Sequence, residues 1–234
     1  KETTMRVSSR WLWSLCLIVV VLALAFVAQT RAALVASPYF EGETSSFRYT
    51  GQGQSNGSYY VTISVDFDNP IAHQGYLDAN RQRGQTLLSR YAMYPLPLQI
   101  TFATPVSLQD ARILVSEAHV QVDSFAFVGR SSLNHSKRGG HWEFGGLDRT
   151  IPGTQSMDPA GVNGEQLVLE GVMVIHGTVA DAAGLASLLA DPRIYLVDTS
   201  EVELRTLIAQ RHQSEVASKD LTISIPSPFW NLDW

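Results

Sequence analysis

Cysteine is nearly absent from this 234-residue chain, with Cys16 standing alone. That excludes a disulfide framework, a Cys-rich metal or iron–sulfur site, and a C-x-x-C-H haem attachment. Charge is sparse too. Asp, Glu, Lys and Arg make up 17% of the residues, against about 25% in an average soluble domain. The net charge of −5 argues against a nucleic-acid binder held by phosphate contacts. Ten prolines and 17 glycines exclude collagen and a long coiled coil. Aromatics, at 9%, are too frequent for a disordered chain. No nucleophile is framed: G-x-S-x-G is missing, and Ser116 and Ser187 fall inside expected helices. Gly51-Gln52-Gly53 lacks the Lys-Ser/Thr of a phosphate loop. No cofactor motif is present, and the chain is read as non-catalytic.

Apolar residues are plentiful, at 45%, and unevenly placed. Trp11 to Ala28 reads WLWSLCLIVVVLALAFVA, in which Ser14 is the one polar residue. As a helix this run would extend about 27 Å, close to the roughly 30 Å of a bilayer core. Arg10, Trp11 and Trp13 are the expected membrane-interface residues, because cations and amphipathic rings suit the headgroup level. Lys1, Arg6 and Arg10 precede the run and Arg31 follows it, which orients the N-terminus inside. A signal peptide cleaved after Thr30-Arg31-Ala32 competes with an uncleaved anchor. A secretory core is usually shorter, so the anchor is the favoured reading.

The expected organisation is therefore a cytoplasmic tail over 1–10, a transmembrane helix over 11–30, a linker over 31–57, and an extracytoplasmic α+β domain over 58–234. Residues 33–234 hold 13 Lys and Arg against 21 Asp and Glu, so this outer part is acidic. The linker reading rests on Gly42 to Gly57, rich in Gly, Ser, Thr and Gln. Tyr59 to Phe67 alternates as a strand that Asn69-Pro70 ends. Gly75 to Tyr91 follows as a helix, with Leu77, Leu87, Leu88 and Tyr91 as its apolar stripe.

Beyond that helix the chain repeats its pattern. Residues 98–122 overlie 172–196 at a constant offset of 74: Leu98 meets Val172, Thr104 meets Thr178, Leu114 meets Leu188, and Val120 meets Ile194. Each half reads strand, helix, strand. Strands are expected at 97–103, 120–128, 167–176 and 193–198, and helices at 107–118 and 180–190. Ser107 and Asp181 are the N-cap candidates. Two such halves, 97–128 and 167–198, predict a ferredoxin-like sandwich of four antiparallel strands with two helices on one face. An extra N-terminal strand and helix and a C-terminal helix, 201–217, complete it. The half pattern LLADPRIYLVD resembles the βαβ of subtilisin-type pro-domains and related inhibitors over about 30 residues, in pattern alone.

The connection 129–166 is long for a hairpin, and long loops are often functional. Its His135, His141, Glu143 and Asp148 match no zincin spacing. Trp142 and Phe144, set among glycines, point instead to a protein-interaction surface. Phe229, Trp230 and Trp234 in the non-helical tail 226–234 need a home on this domain or on a partner. His176 is expected as a buried, hydrogen-bonded core residue, and His119 as a cation at a helix C-terminus. His73 and His212 have no clear partners. Asp66 and Asp68 read as a solvated strand end.

The expected role is an accessory or scaffolding subunit of a larger membrane complex, with an electron-transfer or photosynthetic assembly as one host. Its partners would be other membrane-protein subunits and the lipid bilayer, and no nucleic acid. The alternative is an extracytoplasmic ligand- or signal-sensing domain. Polar residues on the sheet face left open by the helices would favour sensing; aromatic residues there would favour docking.

Overall fold

A computed structural model describes residues 39–90, 93–131, 137–143, 154–156, 166–211 and 220–228. The expected tail and span, with Arg10, Trp11 and Trp13, lie outside the described residues. So do Phe144, Phe229, Trp230, Trp234, His135, Asp148 and His212. Among the described residues no helix is long and apolar enough to cross a membrane.

The chain is a mixed α+β fold with two sheets and four helices among the described residues. Strands β1 (Tyr39–Glu43), β2 (Arg48–Gly53) and β3 (Tyr59–Ser64) form an antiparallel run, and β10 (Leu221–Ser224) joins β3 in parallel. Much of the expected linker is therefore sheet. Cross-strand pairing explains why: Phe40 lies opposite Gly51, and Tyr49 opposite Gly42. A Cβ on Gly42 would fall 2.4 Å from the Tyr49 ring, and one on Gly51 2.1 Å from the Phe40 ring. These glycines make room for aromatic rings, a use that composition cannot distinguish from a spacer.

Helix α1 (Pro70–Leu88) begins five residues before the expected start. Asn69 is its N-cap, with Oδ1 accepting from the Ile71 and Ala72 amides at 3.0 and 3.3 Å. Pro70 then occupies the first turn, where a missing N–H costs nothing. Strand β3 ends at Ser64, short of the expected Phe67, so the Asn-Pro pair expected to end the strand starts this helix instead.

The second sheet contains β4 (Leu96–Val106), β5 (Val120–Ser131), β6 (Lys137–Glu143), β7 (Thr154–Ser156), β8 (Gln166–Val179) and β9 (Ile194–Asp198). Its order is β6-β5-β8-β4-β9, with β7 also on β8 and every pairing antiparallel. The region expected as a loop between 129 and 166 thus carries β6 and β7. Helices α2 (Leu108–Glu117) and α3 (Ala182–Ala190) connect β4 to β5 and β8 to β9. The offset of 74 recurs in three places: the caps Ser107 and Asp181, the helix starts, and the starts of β5 and β9. Ser107 Oγ accepts from Asp110 N at 3.0 Å, and Asp181 Oδ1 from Gly184 N at 2.7 Å. Helix α4 (Ser200–Arg211) follows β9 directly.

Two apolar cores result. The first joins Ile100, Phe102 and Ile175 of the second sheet to Ala111 and Leu114 of α2 and to Leu185 and Leu188 of α3. The second joins Tyr49, Tyr59, Val61 and Ile63 of the first sheet to Leu204 and Ile208 of α4. Strand β9 serves both, as period-two alternation requires: Val197 enters the first and Leu196 the second. Helix α1 also serves both, through Leu87 on one side and Tyr76 and Leu77 on the other.

Candidate functional site: a two-sheet cleft and a buried carboxylate

Directly paired residues in an antiparallel sheet project from the same face. The register aligns Ser124 of β5, His176 of β8, Gln99 of β4 and Asp198 of β9 in one row. The neighbouring row is Ala126, Val174, Thr101 and Leu196. Because Leu196 belongs to the second core, this face is turned toward the first sheet and α4. A four-strand polar row on an inward face is unusual, since sheet faces turned inward are normally apolar.

The row passes from half-exposed to fully buried. Ser124 and His176 open onto a cleft of about 900 Å³, while Gln99 and Asp198 are 0% exposed. The cleft separates the second sheet from β10. Its walls are Pro97, Leu98, Asp123, Ser124 and 176–178 on one side and Tyr60 with all five residues from Leu221 to Ile225 on the other. Helix α4 closes one end with Glu201 and Arg205, which pair at 2.7 Å. Arg205 also donates to the Leu221 carbonyl at 3.2 Å. Past β10 the chain crosses the polar face, where Gln99 Nε2 donates to the Pro226 carbonyl at 3.2 Å. Of the expected tail 226–234, residues 226–228 therefore pack on their own domain, with Pro228 buried. Gln99 Oε1, Thr101 Oγ1 and Ser227 Oγ are buried there without a hydrogen-bond partner among the described residues.

Asp198 anchors a second polar cluster. Tyr76 Oη donates to its Oδ2 at 2.5 Å; Ser200 Oγ and Ser200 N donate to its Oδ1 at 2.6 and 2.9 Å. Burial pushes the Asp198 carboxyl up against the opposing pull of these donors. The same burial, with the carboxylate beside it, drives the Tyr76 hydroxyl well above its ordinary value. Asn80 extends the cluster: its Oδ1 accepts from Thr199 N at 3.0 Å and from Arg83 at 2.6 Å, and Arg83 also pairs with Glu203. These bonds tie α1 to the β9–α4 junction. The sequence reading placed Asp198 only as a strand end. The signal available was Asp-x-Ser directly before a helix, the pattern of an Asx turn.

The other titratable groups are dispersed. His73, expected without a partner, meets Tyr195 Oη through Nε2 at 3.0 Å and packs against Phe67. His119 sits after the last turn of α2 with φ +50°, and its Nδ1 lies 2.9 Å from Asp181 Oδ2. The Gly184 amide, followed by this imidazole, holds the Asp181 carboxyl below its ordinary value. Asp66 and Asp68 are exposed in the turn before α1. Trp142 lies on β6 in register with Phe125, His141 with Ala126, and Glu143 with Ser124. Glu143 thereby occupies the strand position next to the polar row. Among the described residues no three His, Cys, Asp or Glu side chains gather in a metal-binding group.

No protein-family model, curated protein or solved structure matches this chain.

Proposed function

We propose that the chain is a non-catalytic accessory subunit, tethered by residues 11–30, whose outer domain docks another protein of a membrane assembly. The observation that carries this reading is the cleft: a cavity of about 900 Å³ walled along one side by the outermost strand of a sheet. In this reading the strands β4, β5, β8 and β9 form the ferredoxin-like core, in spatial order β9-β4-β8-β5, and β1–β3, α1, α4 and β10 are the layer added to it. The acidic surface of residues 33–234 argues for a protein partner over a nucleic acid.

Carboxyl-directed cross-linking on intact membranes, read by mass spectrometry, tests the reading. Cross-links from this domain to a second membrane protein are the expected result. A chain that purifies in mild detergent only as a monomer, with no cross-linked partner, overturns it.

The polar row favours a second reading, a ligand-sensing domain. Ser124, His176, Gln99 and Asp198 include no Phe, Tyr or Trp. Thermal shift against a panel of metabolites separates the two: a saturable increase in Tm with a small molecule supports sensing, and none supports docking.

A further inference from the structure

Side chains alternate along a strand, so a cavity floored by a strand's face is lined by every second residue. The cleft is lined by five consecutive residues, Leu221 to Ile225, and, on the outer face, by Tyr60 of β3, which pairs with Thr222. The cleft therefore takes in the main-chain edge of β10 as well as part of its outer face. The opposite edge of β10 is used by β3 in parallel pairing, and β10 ends the sheet order among the described residues. A row of main-chain N–H and C=O groups facing a cavity is a template for an added strand. Arg205 engages one of these carbonyls, that of Leu221, and among the described residues no strand pairs along this edge.

Charge narrows the guest. Glu201 is neutralised by Arg205, whereas Asp123 stands exposed on the facing wall. The cleft thus presents one carboxylate beside a main-chain edge, in a domain that is acidic overall. We infer that the partner enters the cleft as an extended peptide segment that adds a strand to β10 and places a Lys or Arg opposite Asp123. This rests on the docking reading above and specifies its contact.

The full chain in mild detergent is titrated with a labelled probe, acetyl-Lys-Thr-Val-Thr-Val-Lys-amide, and with two controls. One control carries Glu for both Lys; the other is methylated on alternate main-chain nitrogens. Expected are binding of the Lys probe, slowed amide exchange within 221–225, at least about tenfold weaker binding of the Glu probe, and none of the methylated probe. Asp123→Lys, a change at an exposed site, should reverse the charge preference without altering Tm. Absence of Lys-probe binding up to millimolar concentration, equal binding of the methylated probe, or binding without protection at 221–225 each overturns strand addition. Failure of the docking reading looks different. Partner cross-links on other surfaces, with none at the cleft, leave docking standing and overturn only the strand mode. Absence of any partner removes both.

Discussion

Asp198 is fully buried, with three donors and, among the described residues, no cation in contact with its carboxylate. Burial raises its folded-state pKa above the ordinary 3.8. The folded chain then retains a proton that the unfolded chain releases. Its contribution to stability is therefore fully present below the unfolded pKa and is lost as pH rises through the folded value. Wild-type protein should lose stability relative to Asp198→Asn as pH climbs from 4 to 8, as read by urea denaturation at several pH values. A constant difference would mean that the acid ionises equally easily in both states. Tyr76→Phe removes one donor from the buried oxygen and should cost about 1–3 kcal/mol, seen as a lower urea midpoint. It should also move the wild-type pH dependence further upward, a shift that loss of packing alone would not produce.

At the scale of single elements, α2 and α3 are equivalent in position yet differ in how closely they are packed. Ser107→Ala should cost about 1 kcal/mol through the lost cap. Asp181→Ala should weaken α3 most near neutral pH. Its lowered pKa means that the stabilisation is present above the unfolded carboxyl value and disappears as pH falls through the folded one. Glycine contrasts sharpen the point. A Cβ at Gly184 of α3 would stand 2.0 Å from the Ala118 carbonyl oxygen, a main-chain atom where α2 ends. Gly184→Ala should destabilise by about 3 kcal/mol or more, because backbone must move. At Gly84 of α1 the nearest atom is Leu189 Cδ2 at 3.0 Å, the tip of a side chain that can rotate. Gly84→Ala should stay within about 1 kcal/mol, since helix propensity offsets the crowding. Chemical denaturation of the two variants side by side checks the ranking.

For the whole molecule, the two cores are joined by elements that serve both. Leu196 and Val197 are neighbours in sequence and enter different cores. Helix α1 divides in the same way, and the Asp198 cluster lies where it meets β9 and α4. Unfolding the outer layer would therefore strip α1 and one face of β9 from the inner one. Leu196→Ala should cost about 2–5 kcal/mol by leaving a cavity. It should also speed amide exchange in β4 and β8 of the other core. Exchange confined to the first sheet would show that the layers unfold separately.

Local signals were enough for α2, α3, β5, β8 and β9, because each combines its own apolar period with a cap or turn. Ser107 and Asp181 mark helix starts by side-chain chemistry that acts within three residues. The same logic placed Tyr59, Val61 and Ile63 on one buried face of β3. It missed β1 and β2, whose glycines have meaning only opposite Phe40 and Tyr49, and β10, which pairs with a strand some 160 positions earlier. The cleft and the row from Ser124 to Asp198 were illegible for the same reason: the row comes from four strands and the cleft adds β3, β10 and α4, and only tertiary pairing sets them side by side. The sequence by itself determined the mixed α+β class, the repeated strand–helix–strand halves and their caps, since these follow from interactions between near neighbours. Which polar groups meet, which strand edge is left open and where a carboxylate is buried were decided only by tertiary structure, because those depend on pairings between distant segments that no local pattern encodes.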